Sequence, residues 1–236
     1  MSSSSLNIII VAHPDDESLF FASLPLSRPS EEFWVVCVTD ANADGLGLQR
    51  KSQFEDACNR LGVKRSFWLN FPDVYENRLD TAALMRSLAK MEKDESKYLA
   101  NKTLNVFTHG PLGEYMHPHH QDVCFAVHKY FKERLTVQSP AYNCYPETTV
   151  MLSESQFILK TEILTKIYGS ETNRFANLIP ATWAEGFCST RFQEIEEIYH
   201  YLSGAKTTLE PSNLVRFQWM TGFIEKKGLE DGKRLF

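Results

Sequence analysis

Short apolar runs rich in β-branched residues alternate with segments of helical periodicity as far as residue 134, and this alternation restricts the fold more than any other feature of the chain. Residues 6–12, 33–39, 66–70 and 104–108 read as strands. The first two are apolar almost throughout, the pattern of strands covered on both faces. A short helix fits from Asp16 towards Leu24. The segment 48–61 places Phe54, Ala57, Cys58 and Leu61 on one stripe and stops at Gly62, a helix C-cap. Segments 81–91 and 122–134 are further amphipathic helices, while 40–47 reads as a loop. Parallel strands need crossover connections, and the helices in those connections cover both sheet faces. The expected fold is therefore α/β, a Rossmann-like three-layer sandwich with a mostly parallel sheet of about five strands and a divergent C-terminal part. No GxGxxG follows the first strand, which speaks against a dinucleotide-binding version of that fold.

With 236 residues the chain fits one domain better than two. A single unit over 1–236 is expected, with a core at 6–187 and a C-terminal helical extension at 188–236. In the later half 148–152 reads as a strand, and 155–168 and 192–202 have helical spacing. Glu194-Ile195-Glu196-Glu197 reads as a solvated helix face, and the aromatic tail around Phe217, Trp219, Met220 and Phe223 as core or a subunit interface. A net charge of -5 argues against a nucleic-acid partner, which would call for a basic face. No run of about 18 apolar residues is present to span a membrane, and no secretory leader is read at the start. The five cysteines are odd in number and form no CxxC pair, which fits reduced thiols in a cytoplasmic protein. Homo-oligomerisation stays open.

Chemistry concentrates in two stretches. Ala12-His13-Pro14-Asp15-Asp16-Glu17 directly follows the first strand, and ligand sites in open α/β sheets form beyond the carboxyl ends of the strands. Three consecutive acids repel one another unless a cation or a helix N-terminus stabilises them. The second stretch, Glu114-Tyr115-Met116-His117-Pro118-His119-His120, lies in a loop beyond the fourth strand. Histidine and aspartate are zinc ligands, and a catalytic zinc keeps three protein ligands and one open position. His13 and Asp16, at i and i+3, are spaced to wrap one ion from a turn, and a ligand from the later loop would complete the set. Each stretch also has a plainer reading. HPDD alone is what a capped helix start looks like, and a His-rich loop is often a solvated turn. Complementary ligand types at two strand ends of one sheet favour the metal. His109 closes the fourth strand and either lines the site or makes a structural hydrogen bond, while Asp40 and Asp44 read as turn formers.

AHPDDE after a first strand, followed later by HPxH, resembles the PIG-L/LmbE-like de-N-acetylases. Further matches are Thr39-Asp40, Arg50, Leu61-Gly62-Val63 and Pro72-Asp73, with a weaker echo over 160–170; the likeness covers 6–123. The resemblance implies a zinc-dependent hydrolase that removes an N-acetyl group from an amino sugar (a GlcNAc-type glycoside or conjugate), releasing acetate and a free amine. It implies zinc, or another divalent metal, on His13, Asp16 and His120. Asp15 then matches the general base, and His117 the imidazole that stabilises the oxyanion or protonates the leaving amine. Tyr115 matches a tyrosine that polarises the amide carbonyl, and Arg50 and Asp73 match positions that contact the sugar. The alternatives are a hydrolase of another amide on the same scaffold and a non-catalytic sugar- or metal-binding member. The family often carries Gly where Ala41 and Met116 stand. Its usual HPDH also has an aspartate where this chain has His119. His119 cannot lend a negative charge to His117, and Asp122 and Glu114 are the candidates to replace it.

Overall fold

The computed structural model describes residues 4–175 and 182–234. The four expected strands are β1 (Ser4–Val11), β2 (Glu32–Thr39), β3 (Arg65–Phe71) and β4 (Lys102–Thr108), all paired in parallel. β5 (Val137–Pro140) adds a fifth parallel strand beside β4. β6 (Thr148–Met151) and β7 (Ala184–Ser189) then continue the sheet antiparallel, in the order β3-β2-β1-β4-β5-β7-β6. The sheet thus has seven strands rather than about five. The additions are short and carry Gln138, Pro140 and Gly186 in place of an apolar run. Gly186 is required there, because a Cβ on it would lie 2.8 Å from Pro146 Cβ.

The helices are α1 (Asp16–Phe20), α2 (Ser23–Ser27), α3 (Gly47–Arg60), α4 (Thr81–Asp94), α5 (Ser96–Leu99), α6 (Gly113–Met116), α7 (Pro118–Phe131), α8 (Glu154–Glu162), α9 (Gly169–Phe175), α10 (Phe192–Leu202) and α11 (Thr221–Arg234). α3 ends as its sequence implies. Gly62 adopts φ +76°, and the Val63 N–H reaches back to the Cys58 carbonyl at 2.9 Å. The segment 155–168 divides into α8 and a π-helical turn, Ile163–Ile167.

Strand alternation builds two cores. Leu6, Ile8 and Ile10 of β1 face Leu84 and Leu88 of α4 and Val123 and Val127 of α7. Ile9 and Val11 face the other way, towards Phe54 and Cys58 of α3 and Phe187 of β7. β1 is therefore covered on both sides, which is why its sequence is a continuous apolar run. The chain leaves β1 towards β2 and β3 in one direction and towards β4 and β5 in the other. That reversal opens a crevice at the carboxyl ends of β1 and β4, where such folds bind ligands.

Two sequence readings need correction. α7 starts at Pro118, four residues before the expected start, with His117 as N-cap; its Nδ1 accepts the His119 N–H at 3.3 Å. Proline suits the first helical turn because its missing N–H has no helical partner there. His119 and His120 accordingly stand on a rigid helix and not in a loop. Glu194 and Glu197 of α10 are almost fully buried, not solvated. Glu194 accepts the Val215 and Phe217 N–H groups, and Glu197 accepts the Glu210 N–H and the side chains of Lys206 and Asn213. The two carboxylates pin the returning tail, whose Leu209, Leu214, Phe217 and Ile224 cluster with Leu112 and Ile198. In that tail Phe217 is core, while Trp219 stays exposed.

Candidate metal centre

The first half of the site is a tight turn at the end of β1. The His13 N–H donates to Asp16 Oδ2 at 2.8 Å. Asp15 adopts φ +99°, a conformation unusual for a side-chain-bearing residue, and the turn is held from below by Glu17. Glu17 Oε2 accepts the Asp15 N–H at 3.0 Å, and Oε1 accepts the hydroxyls of Ser18 and Tyr168 at 2.6 and 3.0 Å. Burial pushes the Glu17 carboxyl up to about 7 despite these donors.

The second half comes from the segment after β4 and the first turn of α7. His120 Nε2 lies 3.2 Å from His13 Nδ1 and 3.4 Å from Asp16 Oδ2, which is 3.5 Å from His13 Nδ1. His13, Asp16 and His120 therefore bring one ligand atom each within 4.8 Å of one another. Asp16 Oδ1 is buried with no hydrogen-bond partner, an arrangement a cation would satisfy. Burial opposes ionisation of Asp16, but His120 and His109 hold its carboxyl well below the usual carboxylate range. Burial likewise opposes charge on His13, yet Asp16 and Asp73 raise it to about 10. Two imidazoles and a carboxylate form a ligand set that fits zinc.

Glu114 fixes the His120 ring. Its Oε2 faces His120 Nδ1 at 2.7 Å and His109 Nδ1 at 2.9 Å, and its Oε1 accepts the Gly110 N–H at 2.8 Å. Burial works against the charge, but His109 and His120 hold the Glu114 carboxyl down at about 2. His120 Nδ1–H thus donates to a carboxylate and its Nε2 is left bare, the usual outer support of a metal-bound histidine. His109 Nε2 accepts the Ala12 N–H at 2.9 Å, and its Nδ1 faces Glu114 Oε2 at 2.9 Å. Both nitrogens of His109 are engaged, which gives it the structural role.

A cleft of about 420 Å³ lies above these ligands and is lined by His13, Asp15, Arg50, Asp73, Tyr115 and His117. Residues 8–131 match the family model PIG-L: GlcNAc-PI de-N-acetylase, a span that holds both halves of the site. The chain belongs to this family. A probable N-acetylglucosaminyl-phosphatidylinositol de-N-acetylase of Dictyostelium discoideum is 25% identical over 134 residues, 54% of this chain and 50% of that protein. The N-acetylglucosaminyl-phosphatidylinositol de-N-acetylase of Bos taurus is 32% identical over 83 residues, 32% of this chain and 33% of that protein. The chain thus spans half or less of the length of these curated relatives. Among solved structures, the N,N'-diacetylchitobiose deacetylase of Pyrococcus horikoshii, complexed with its inhibitor MPG, superposes with a TM-score of 0.58. It is 17% identical and the match covers 80% of this chain and 85% of that one, a likeness of fold.

Within this PIG-L family chain the remaining predicted residues fall as follows. Tyr115 is half-exposed, its ring centroid 5.3 Å from that of His120 and 5.9 Å from that of His117. The residues beside it, Glu114 and Met116, both take positive φ, 54° and 72°. Burial and the imidazoles of His120, His13 and His119 push His117 well below the usual histidine range, so its ring is neutral. Arg50 is buried and tied to the Ala41 carbonyl at 2.7 Å, Asp44 at 2.7 Å and Glu171 at 2.8 Å. Asp44 is therefore an ion-pair partner as well as a turn former. Asp40 Oδ1 accepts the N–H groups of Asn42 and Asp73, joining two loops. Asp73 Oδ1 lies 3.3 Å from His119 Nδ1. Neither candidate replacement for the family aspartate serves His117. Glu114 faces His109 and His120, whereas Asp122 takes the Leu79 N–H, the Tyr199 hydroxyl and Arg78. Sequence reasoning did not assign the supporting roles of Glu17 and Glu114. The only signal was a carboxylate close in sequence to a ligand, which does not reveal direction.

Proposed function

We propose that this protein is a metal-dependent hydrolase that removes the N-acetyl group of a GlcNAc-type sugar conjugate, releasing acetate and a free amine, and that zinc is its metal. The observation that carries this reading is the convergence of His13, Asp16 and His120 beneath a cleft that Asp15 and His117 both line. A bound zinc ion supplies a Lewis acid for the amide carbonyl and acidifies water. Asp15, next in the chain to the ligand Asp16, is the base that takes the proton of the attacking water and returns it to the amine as the C–N bond breaks. Burial, with Asp16 and Glu17, pushes the Asp15 carboxyl above the usual carboxylate range, which makes it a stronger base than a free carboxylate. His117 accepts the His119 N–H on Nδ1, so its neutral ring carries hydrogen on Nε2. That hydrogen serves the carbonyl oxygen as it gains charge. Tyr115, half-exposed at the cleft mouth, offers its hydroxyl hydrogen as a second donor there. Arg50, tied to three acceptors, shapes the cleft wall, and Asp73 meets a sugar hydroxyl.

We read 1–236 as one functional unit, because Ile195 of α10 packs on Cys124 and Phe125 of α7, the helix that carries His120. All five cysteines are free thiols, in keeping with a reducing cytoplasmic compartment. Among the described residues no helix is long and apolar enough to cross a membrane. The test is acetate release from a panel of N-acetylglucosaminyl conjugates, phosphatidylinositol and soluble glycosides included. Release lost on chelation and restored by zinc is expected. No acetate from any member of the panel at saturating zinc refutes the proposal.

A further inference from the structure

His119 is fully buried on the first turn of α7. Its Nε2 lies 3.0 Å from the Asn77 carbonyl oxygen and 3.2 Å from that of Val74. Carbonyl oxygens only accept, so Nε2 carries a hydrogen. Its Nδ1 lies 3.2 Å from His13 Nε2. His13 turns its other nitrogen, Nδ1, towards Asp16 and His120. A neutral imidazole that offers one nitrogen to a metal keeps its hydrogen on the other. For His13 that hydrogen is on Nε2, and the acceptors within reach are His119 Nδ1 at 3.2 Å and Asp73 Oδ1 at 3.6 Å; Asp73 Oδ1 is itself 3.3 Å from His119 Nδ1, and His119 Nδ1 is the nearer of the two acceptors.

We propose that His119 is a positioning residue for the ligand His13. The carbonyls of Val74 and Asn77 hold His119 as the Nε2–H tautomer, its bare Nδ1 accepts the His13 Nε2 hydrogen, and His13 Nδ1 is thereby left bare for the metal. The inference rests on the metal reading above. It gives the residue that replaces the family aspartate a task of its own, directed at His13 rather than at His117. The two imidazole ligands are then each supported from outside, His120 by Glu114 and His13 by His119. The same lone pairs argue against a rival site. His13, His117 and His119 also bring ligand atoms within 4.8 Å of one another. Yet His117 Nδ1 takes the His119 N–H and His119 Nδ1 takes His13, so that trio has no bare nitrogen left for a second ion.

The test compares the full chain with His119→Asn and His119→Leu. Zinc affinity is measured by competition with a chromogenic chelator, and folding of each variant is checked by its unfolding curve. Asparagine keeps an acceptor oxygen at about the place of Nδ1, towards His13, but is too short to reach the carbonyls, whereas leucine keeps neither contact. His119→Leu is expected to bind zinc about 10- to 100-fold more weakly, with most of that loss recovered in His119→Asn. Nitrogen-15 spectra of the zinc-loaded wild type should show His13 protonated at Nε2, a readout that stands even if a variant does not fold. Equal affinity in all three proteins, an equal loss in both variants, or His13 protonated at Nδ1 in the loaded protein overturns the proposal. A wild type that binds no zinc at saturation overturns the metal reading itself, a result distinct from a wild type that binds and a His119→Leu that matches it.

Discussion

Glu114→Gln is the most informative single change in this site, because one buried carboxylate accepts from three donors. Its Oε2 takes His109 and His120, and its Oε1 takes the Gly110 N–H at 2.8 Å. Glutamine keeps the volume but has only one acceptor oxygen. If that oxygen faces the two histidines, the amide NH₂ meets the Gly110 N–H and a buried donor goes unpaired, at a cost of about 1–3 kcal/mol. The electrostatics give a similar size. A carboxyl held at about 2 instead of 4.5 in the metal-free fold corresponds to about 3 kcal/mol of stability. The sign is that of a depressed acid: the contribution is complete above pH 4.5 and fades as the pH falls towards 2. Urea unfolding of metal-free wild type and variant should therefore show a gap of about 1–3 kcal/mol at pH 7 that narrows steeply between pH 5 and pH 3. A gap that persists unchanged at pH 3 refutes the charge argument and leaves a packing effect. With zinc present, the freed His120 ring should also weaken binding by about 10- to 100-fold.

Asp15→Asn should bind one zinc per chain as the wild type does while losing about 10²–10⁴-fold in turnover; normal turnover in the zinc-loaded variant removes Asp15 as base. His13, raised to about 10 in the metal-free fold, must give up a proton to bind the metal, so zinc affinity should rise roughly tenfold per pH unit between pH 6 and 8. Chelator competition across that range checks this, and a flat profile contradicts it. Ile10, fully buried in β1, should lose about 2–5 kcal/mol on change to alanine by denaturant unfolding.

The parallel core was readable because burial on both faces leaves its mark in continuous runs such as Phe33-Trp34-Val35-Val36-Cys37. β5 and β7 left no such mark. They are short, and their pairing depends on distant partners such as Ser139 with Cys188. The start of α7 was hidden because its cap is a histidine, and its first turn carries His119 and His120 instead of an apolar stripe. Spacing along α10 put Glu194 and Glu197 on a solvent face, but the tail folds back over them, and only tertiary structure shows that. At the site, the residues that converge, His13, Asp16 and His120, could be picked out from HPDD and HPHH. The directions of Glu17, Glu114 and His119 could not, since side-chain aim depends on backbone turns at Asp15, Glu114 and Met116.

The reversal of chain direction at β1 has a consequence for how the protein is made. His13 and His120 sit beyond neighbouring strands whose register sets Ile10 opposite Thr108. A slip of one residue would turn the inward side chains of a strand outward and pull the two halves of the site apart. On the reading proposed above no local segment would hold the metal, so ion capture would report on the pairing of β1 with β4 and act by mass action on the whole fold. At a hundredfold excess over its dissociation constant, an ion adds about 2.7 kcal/mol to global stability. Supply of the ion during synthesis would then govern how much of the chain survives as well as how fast it works.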